Sequence, residues 1–185
     1  MATQLHLPEE IDTHRLRIRR WAVADAAALK ALIESSLTHL RPWLPWVDSY
    51  PAPVEVIEER IRHWRTQFDA GADWMFAISL RDTREVVGGI GLHRRGSADM
   101  LEIGYWLGAG KTGFGYATEA AHAMTTMALN QPGVTTIRIR CDPKNVRSAA
   151  VPRRLGYLYV TTVSRDAVTP PAPHDSMVWE ITRPS

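Results

Sequence analysis

Residues 108–117, GAGKTGFGYA, cluster small residues around a Gly-Lys-Thr triplet and run directly into an alanine-rich helical pattern. A glycine bend that opens a helix presents main-chain amides without intrahelical partners at the positive end of the helix dipole, so the chemistry it offers is the binding of a phosphate. Gly113 and Gly115 permit close approach of an anion or a positive φ, Ala117 keeps the first helical turn thin, and Lys111 adds a cation. The nucleotide-binding pattern G-x-x-x-x-G-K-[ST] fails by one residue. Gly110, Lys111 and Thr112 would need a glycine at position 105, where Tyr105 stands, and no apolar run ending in acids follows to hold magnesium. Thr112, Gly113, Phe114, Gly115, Tyr116 and Ala117 therefore form the candidate anion site, against the alternative of a glycine-rich turn that holds nothing. The second chemically suggestive residue is Glu102, a lone acid between Leu101 and Ile103 just before that bend. Partial burial suits such a group to accept a proton; its other reading is a structural carboxylate bonded across the sheet.

Other chemistries have no support. Cys141 is the one cysteine, so no internal disulfide forms, and its mid-strand position reads as a small buried hydrophobe rather than a nucleophile. Seven histidines are dispersed, His122 falls on the polar side of a helix, no Cys/His cluster has metal-ligand spacing, and no G-x-S-x-G elbow suggests a hydrolase. A net charge of +2 with scattered arginines gives no nucleic-acid footprint. Residues 1–12 lack an apolar run, so neither a signal peptide nor a membrane span is expected and a reducing cytoplasm is the expected compartment.

Positioning these groups falls to a single α/β domain, which 185 residues with 45% hydrophobic and 23% charged content can bury around one core. Arg15–Trp21 alternates as a strand, Ala26, Leu29, Leu32 and Ile33 mark a helix, and residues 37–53, with four prolines and two tryptophans, read as an irregular loop. Val54, Ile57, Ile61, Trp64 and Phe68 step by threes and fours along a helix that Gly71 closes. Trp74–Leu80 and Val86–His93 read as a hairpin and Met100–Leu107 as a buried strand. A helix over about 116–129, a strand at Thr135–Cys141, a short helix near Ser148–Leu155 and strands near Tyr157–Val163 and Met177–Ile181 complete the chain. The expectation is one mixed sheet of six or seven strands flanked by about four helices.

With these motifs in place the chain resembles the GNAT acyl-CoA-dependent N-acyltransferases, and within them the Rim-type group that acetylates ribosomal-protein N-termini. The carrying residues are Glu102 to Leu107 (EIGYWL), Gly115 to Ala120 (GYATEA), Ile139 to Cys141 followed by Asn145 and Ser148, and Pro152 with Leu155 to Tyr157. The likeness extends over residues 13–182, and Thr112 stands where the family's pyrophosphate motif usually has Gln or Arg.

The resemblance implies acetyl-CoA as co-substrate, with its pyrophosphate on residues 112–117, and no metal. It implies transfer to a primary amine, either a protein N-terminus or a small molecule; the lack of a nucleophile elbow and the buried reading of Cys141 favour direct attack in a ternary complex, and exposed tryptophans permit a homodimer. It assigns a general base to Glu102 and an oxyanion-holding amide to Trp106 or Leu107. The family's common tyrosine acid falls at Pro152, which shifts attention to Ser148 as hydrogen-bond donor to the leaving sulfur, or as a plain helix cap. Asn145 is implied either to tether the pantetheine amides or to form the turn. The acceptor pocket is expected between Trp43 and Trp46 on one side and a loop near Thr169–His174 on the other; the two tryptophans read equally as core or dimer residues. A non-catalytic acyl-CoA sensor on the same fold and a P-loop nucleotide binder are the alternatives.

Overall fold

Strict alternation of buried and half-buried positions in the segment LRIRR, with Leu16 and Ile18 fully enclosed, makes it an inner strand of a sheet with two distinct faces. The computed structural model describes residues 5–164 and 175–183. Its strands are β1 (Glu10–Asp12), β2 (Leu16–Arg20), β3 (Asp73–Leu80), β4 (Val86–His93), β5 (Met100–Leu107), β6 (Thr136–Cys141), β7 (Leu158–Val163) and β8 (Ser176–Thr182). They form one sheet in the order β1-β2-β3-β4-β5-β6-β8-β7. Only β5 and β6 run parallel; every other neighbouring pair is antiparallel. The helices are α1 (Ala26–Glu34), α2 (Leu37–Leu40), α3 (Val54–Asp69), α4 (Tyr116–Leu129) and α5 (Val146–Arg154).

Two elements exceed expectation. The eighth strand is β1, whose three residues Glu-Ile-Asp are too few to show a period and which exists through its pairing with β2. The fifth helix is α2, a single turn inside the segment expected to be irregular, followed there by a 3-10 turn at Pro45–Ser49.

One face of the sheet carries Phe76, Ile90, Leu101, Ile103, Ile137 and Ile139, packed against α4 through Ala120, Ala121, Met124 and Ala128. Alanines on the inner side of α4 let its backbone approach the strands. On the opposite face α1 and α3 bury Leu29, Ile33, Ile57 and Ile61 with Trp21 and Ala77. These two helices pack on β3 and β4, and among the described residues no helix packs on the same face of β6, β8 and β7.

Two consequences position the site. Pairing of β5 with β6 runs only from Met100 with Thr136 to Ile103 with Ile139, so Gly104–Leu107 have no strand partner on that side and a gap opens in the middle of the sheet. On the α1/α3 face, Asp73, His93, Glu102, Arg138 and Glu180 are successive register partners across β3, β4, β5, β6 and β8, forming one polar row that ends at the edge of the gap.

Candidate functional site

The gap has an anion-binding end. Gly115 starts α4 with φ of +82° and Gly113 precedes it at +88°, backbone conformations that favour glycine, and no side chain caps the helix. The first-turn amides of α4 thus lack acceptors, and a Cβ added at Gly113 would meet nothing within 4 Å. This is open space lined by amides at the positive end of a 14-residue helix. Phe114 is exposed beside it, its ring stacked on Tyr116 at 5.5 Å. Thr112 turns its hydroxyl back to the Ala109 carbonyl at 3.4 Å. Lys111, expected to add a cation here, has its Nζ 2.7 Å from Glu85 in a part-exposed ion pair.

Arg15 and Glu119 fix the shape of this loop, and neither stands out in the sequence. The Arg15 guanidinium donates to the Phe114 carbonyl at 2.8 Å and to Glu119 at 2.7 Å, and lies 5.0 Å from the Tyr116 ring centroid. Glu119 also accepts from the Thr13 hydroxyl at 2.6 Å and the Arg15 amide at 2.8 Å. Burial alone would raise the Glu119 carboxyl, but these donors outweigh it and hold the carboxyl below its usual range. A carboxyl lowered on folding contributes stability above its unfolded pKa, about 4.3, and that contribution fades as pH falls through the lower folded value. Glu119→Gln is therefore expected to cost about 1 kcal/mol above about pH 5, roughly 2–4 °C in Tm, and less with increasing acidity. Thermal melts of both proteins from pH 7 to 3 check this; a difference that stays constant with pH would remove the ionised pair as its cause.

The middle of the gap is lined by β5 and α5. Because Gly108 donates to Val87 at 2.9 Å and the antiparallel ladder alternates, the Trp106 amide is directed at Gly89 on β4, whereas the Tyr105 and Leu107 amides face the gap. Of the two amides considered for an oxyanion, the ladder thus favours Leu107 over Trp106. The Trp106 indole lies on the α1/α3 face over Gly89. Across the gap, Tyr105 donates its hydroxyl proton to the Ser148 carbonyl at 2.9 Å and accepts from the Ser148 hydroxyl at 3.2 Å. Ser148 is half-buried and does not cap α5; Asn145 does, its side-chain oxygen accepting from the Ser148 amide at 3.1 Å. Burial pushes the nearby Cys141 thiol up to about 11, which keeps it protonated and poorly nucleophilic at neutral pH.

The opposite mouth of the gap carries the polar row. Glu102 is buried, one oxygen accepting from Arg95 at 2.9 Å while Oε2 has no partner. Beside it lies a group that the sequence reading passed over. His93 Nδ1 is 2.6 Å from Asp73, and a Cβ added at Gly91 or Gly104 would come within 2.8 or 3.4 Å of Nε2. The ring therefore lies across two glycines, with Nε2 over the first β5 residue that β6 abandons. An ionised carboxylate only accepts, so Nδ1 carries a proton and a neutral His93 presents the Nε2 lone pair. Glycines at 89 and 91, on the side of β4 that also bears His93, were the one legible sign that this strand clears room for a ring.

The tryptophan wall is present in part. Trp46 packs edge-on against Trp106 at 5.9 Å and stays 40% exposed, which brings it to the unpaired end of β5. Trp43 is half-buried just before it. The loop expected opposite, near Thr169–His174, lies outside the described residues. Among the described residues no group of three His, Cys, Asp or Glu could hold a metal ion, and no helix is long and apolar enough to cross a membrane.

Comparison with known proteins gives a consistent result. A family model described as an acetyltransferase (GNAT) domain matches residues 15–158. A Bacillus subtilis protein provisionally named ribosomal N-acetyltransferase YdaF is 30% identical over 144 residues, covering 77% of this chain and 78% of its own. Mycobacterium smegmatis RimJ in complex with CoA-disulfide superimposes with a TM-score of 0.78 at 24% identity, covering 96% of this chain and 85% of that one. The microcin self-immunity acetyltransferase MccE, in complex with acetyl-CoA and AMP, superimposes with a TM-score of 0.84 at 17% identity, covering 95% and 97%. At those identities the two structures speak for the fold.

Proposed function

The chain belongs to the GNAT acetyltransferase family, and from that premise we propose that it transfers an acetyl group from acetyl-CoA to the amino terminus of a protein by direct attack in a ternary complex. The observation that carries this is the uncapped start of α4 lying beside the unpaired half of β5: an anion cradle opening onto a slot through the sheet. The cradle fits a coenzyme diphosphate because the space beside Gly113 is open and the first-turn amides of α4 have no acceptor.

Acetyl-CoA supplies the acyl thioester. The amides from Gly113 to Ala117 hold the diphosphate, with Arg15 fixing the loop around them. The Leu107 amide, facing the gap, meets the negative charge that develops on the carbonyl oxygen. His93 Nε2 takes the proton that an ammonium must lose before its nitrogen can attack, and Asp73 steadies the resulting imidazolium. Glu102, tied to Arg95, is the register partner of His93 on β5. The Ser148 hydroxyl, backed by Tyr105, is placed to donate a hydrogen bond to the departing sulfur. As the C–N bond forms and the C–S bond breaks, the second proton shed by the acylated nitrogen passes to the departing sulfur, so CoA leaves as the free thiol. The protonated state of Cys141 favours this route over a covalent acyl-cysteine.

The name of YdaF, a ribosomal N-acetyltransferase, favours a protein terminus as acceptor over a small amine. A free-thiol assay with acetyl-CoA tests the reading on a panel of N-terminal peptides, amino acids and polyamines, alongside calorimetry with CoA. Thiol release with peptides is the expected result. Binding of CoA with no release from any amine would leave an acyl-CoA sensor on the same fold, and the absence of CoA binding would end both readings.

A further inference from the structure

On the half of this face that carries no helix among the described residues, one cation has no partner among them. The Arg140 side chain on β6 makes no hydrogen bond or ion pair among the described residues, and its Nε is buried with no acceptor there. A guanidinium has five donors and no way to shed its charge; Arg140 is half-buried, and its one enclosed donor, Nε, stays unsatisfied until something arrives to pair with it. Arg140 lines a hollow of about 240 Å³ whose apolar part comes from Val160, Val163 and Val178. The other two charges that line the hollow, Arg138 and Glu180, pair with each other. Arg138 donates twice to Glu180, at 2.9 and 2.7 Å, and Glu102 is taken by Arg95. Among the described lining residues Arg140 is the charge left over, which calls for an anion.

Its position says which anion. Ile139 is the last β6 residue paired with β5, so Arg140 begins the free lip of the gap, across from Gly104 and the His93 ring. From that lip the hollow runs over β8 to β7, the edge strand, where Leu158 and Val160 are 75% and 53% exposed. Strands lie about 4.8 Å apart, so the path from β5 to β7 is about 14 Å, the reach of about four extended residues. A small amine would fill only its start.

Resting on the reading that this gap is where acetyl transfer occurs, we propose that the hollow binds the first residues of a peptide acceptor and that Arg140 selects a carboxylate side chain, Asp or Glu, at the second or third position. The apolar strip over Val160 and Val178 takes the stem of that residue and its successor, while the fork of Arg140 takes the carboxylate.

The test uses the full chain, acetyl-CoA and pairs of hexapeptides that differ only by Glu against Gln at position two or three, with free glutamate and glutamine as a small-molecule arm. The wild type is expected to prefer one Glu peptide over its Gln twin by about tenfold in kcat/KM, with no such preference between the free amino acids. In Arg140→Gln the ratio should fall to about one, and Arg140→Lys should restore part of it, with thermal melts confirming that both variants fold. Equal use of Glu and Gln peptides by the wild type, or a preference that survives in Arg140→Gln, would overturn the proposal. Calorimetry of the same peptides in the presence of CoA separates the inference from its premise. A Glu preference in Kd without turnover keeps the hollow and removes the catalytic reading; no preference in either measurement removes the hollow's role.

Discussion

Replacing Gly115 with glutamate is expected to weaken CoA binding by more than about 100-fold while leaving the protein folded. Three features of the residue combine. Its φ of +82° costs an L-amino acid on the order of 1–2 kcal/mol, a modest fraction of a domain's stability. A Cβ there is tolerated sterically, since its nearest neighbour is the Arg15 guanidinium at 3.4 Å. A carboxylate at the start of α4 would then accept from the amides that now lack partners, which offsets the backbone cost by acting as a cap and takes up the donors a diphosphate needs. The variant should consequently melt within a few degrees of wild type, yet fail to bind the coenzyme in calorimetry. Gly115→Ala separates the contributions, because it incurs the φ penalty without the competing charge and should lose no more than about tenfold. If Gly115→Glu bound CoA as well as wild type, the diphosphate would lie elsewhere and the proposed function would lose its carrying observation.

The legible and illegible parts of this site differ in how far apart in sequence their partners lie. The glycine bend, the alanine stripe of α4 and the apolar step of α3 depend on neighbours within a turn or two, and periodicity finds them. The register that sets Asp73, His93, Glu102, Arg138 and Glu180 in one row is a property of five strands, and no local pattern encodes it. His93 therefore looks like one dispersed histidine among seven until the hairpin and β5 are laid side by side. Arg15 is similar: within RLRIRR it is one of four arginines, and its contact with the Phe114 carbonyl spans 99 residues. Ser148 and Asn145 illustrate a finer limit. Both residue types cap helices, and only the Asn145 oxygen on the Ser148 amide decides which one does, leaving the serine hydroxyl for Tyr105. The short elements β1 and α2 carry too few residues to show a period, and tertiary pairing alone makes them ordered.

His93→Gln should lower kcat for peptide acetylation by about 100-fold or more, the usual contribution of a positioned proton acceptor, without changing the KM for acetyl-CoA. Glutamine approximates the ring's volume over Gly91 and Gly104 and can still bond Asp73, so the sheet should keep its geometry while the lone pair at Nε2 is lost. Asp73→Asn tests the same pair from its other end. An amide can still accept from Nδ1, but it cannot stabilise an imidazolium by charge, so a smaller loss of about tenfold is expected. Glu102→Gln discriminates between the two candidates on the polar row. Glu102 is almost fully enclosed and one of its oxygens already accepts from Arg95, whereas His93 lies over the residue at which β6 leaves β5. The order of effect expected in kcat is therefore His93→Gln above Asp73→Asn and above Glu102→Gln. Should Glu102→Gln prove the most damaging while His93→Gln retained most of its turnover, the proton would leave by the carboxylate, and the Asp73–His93 pair would be a structural link between β3 and β4.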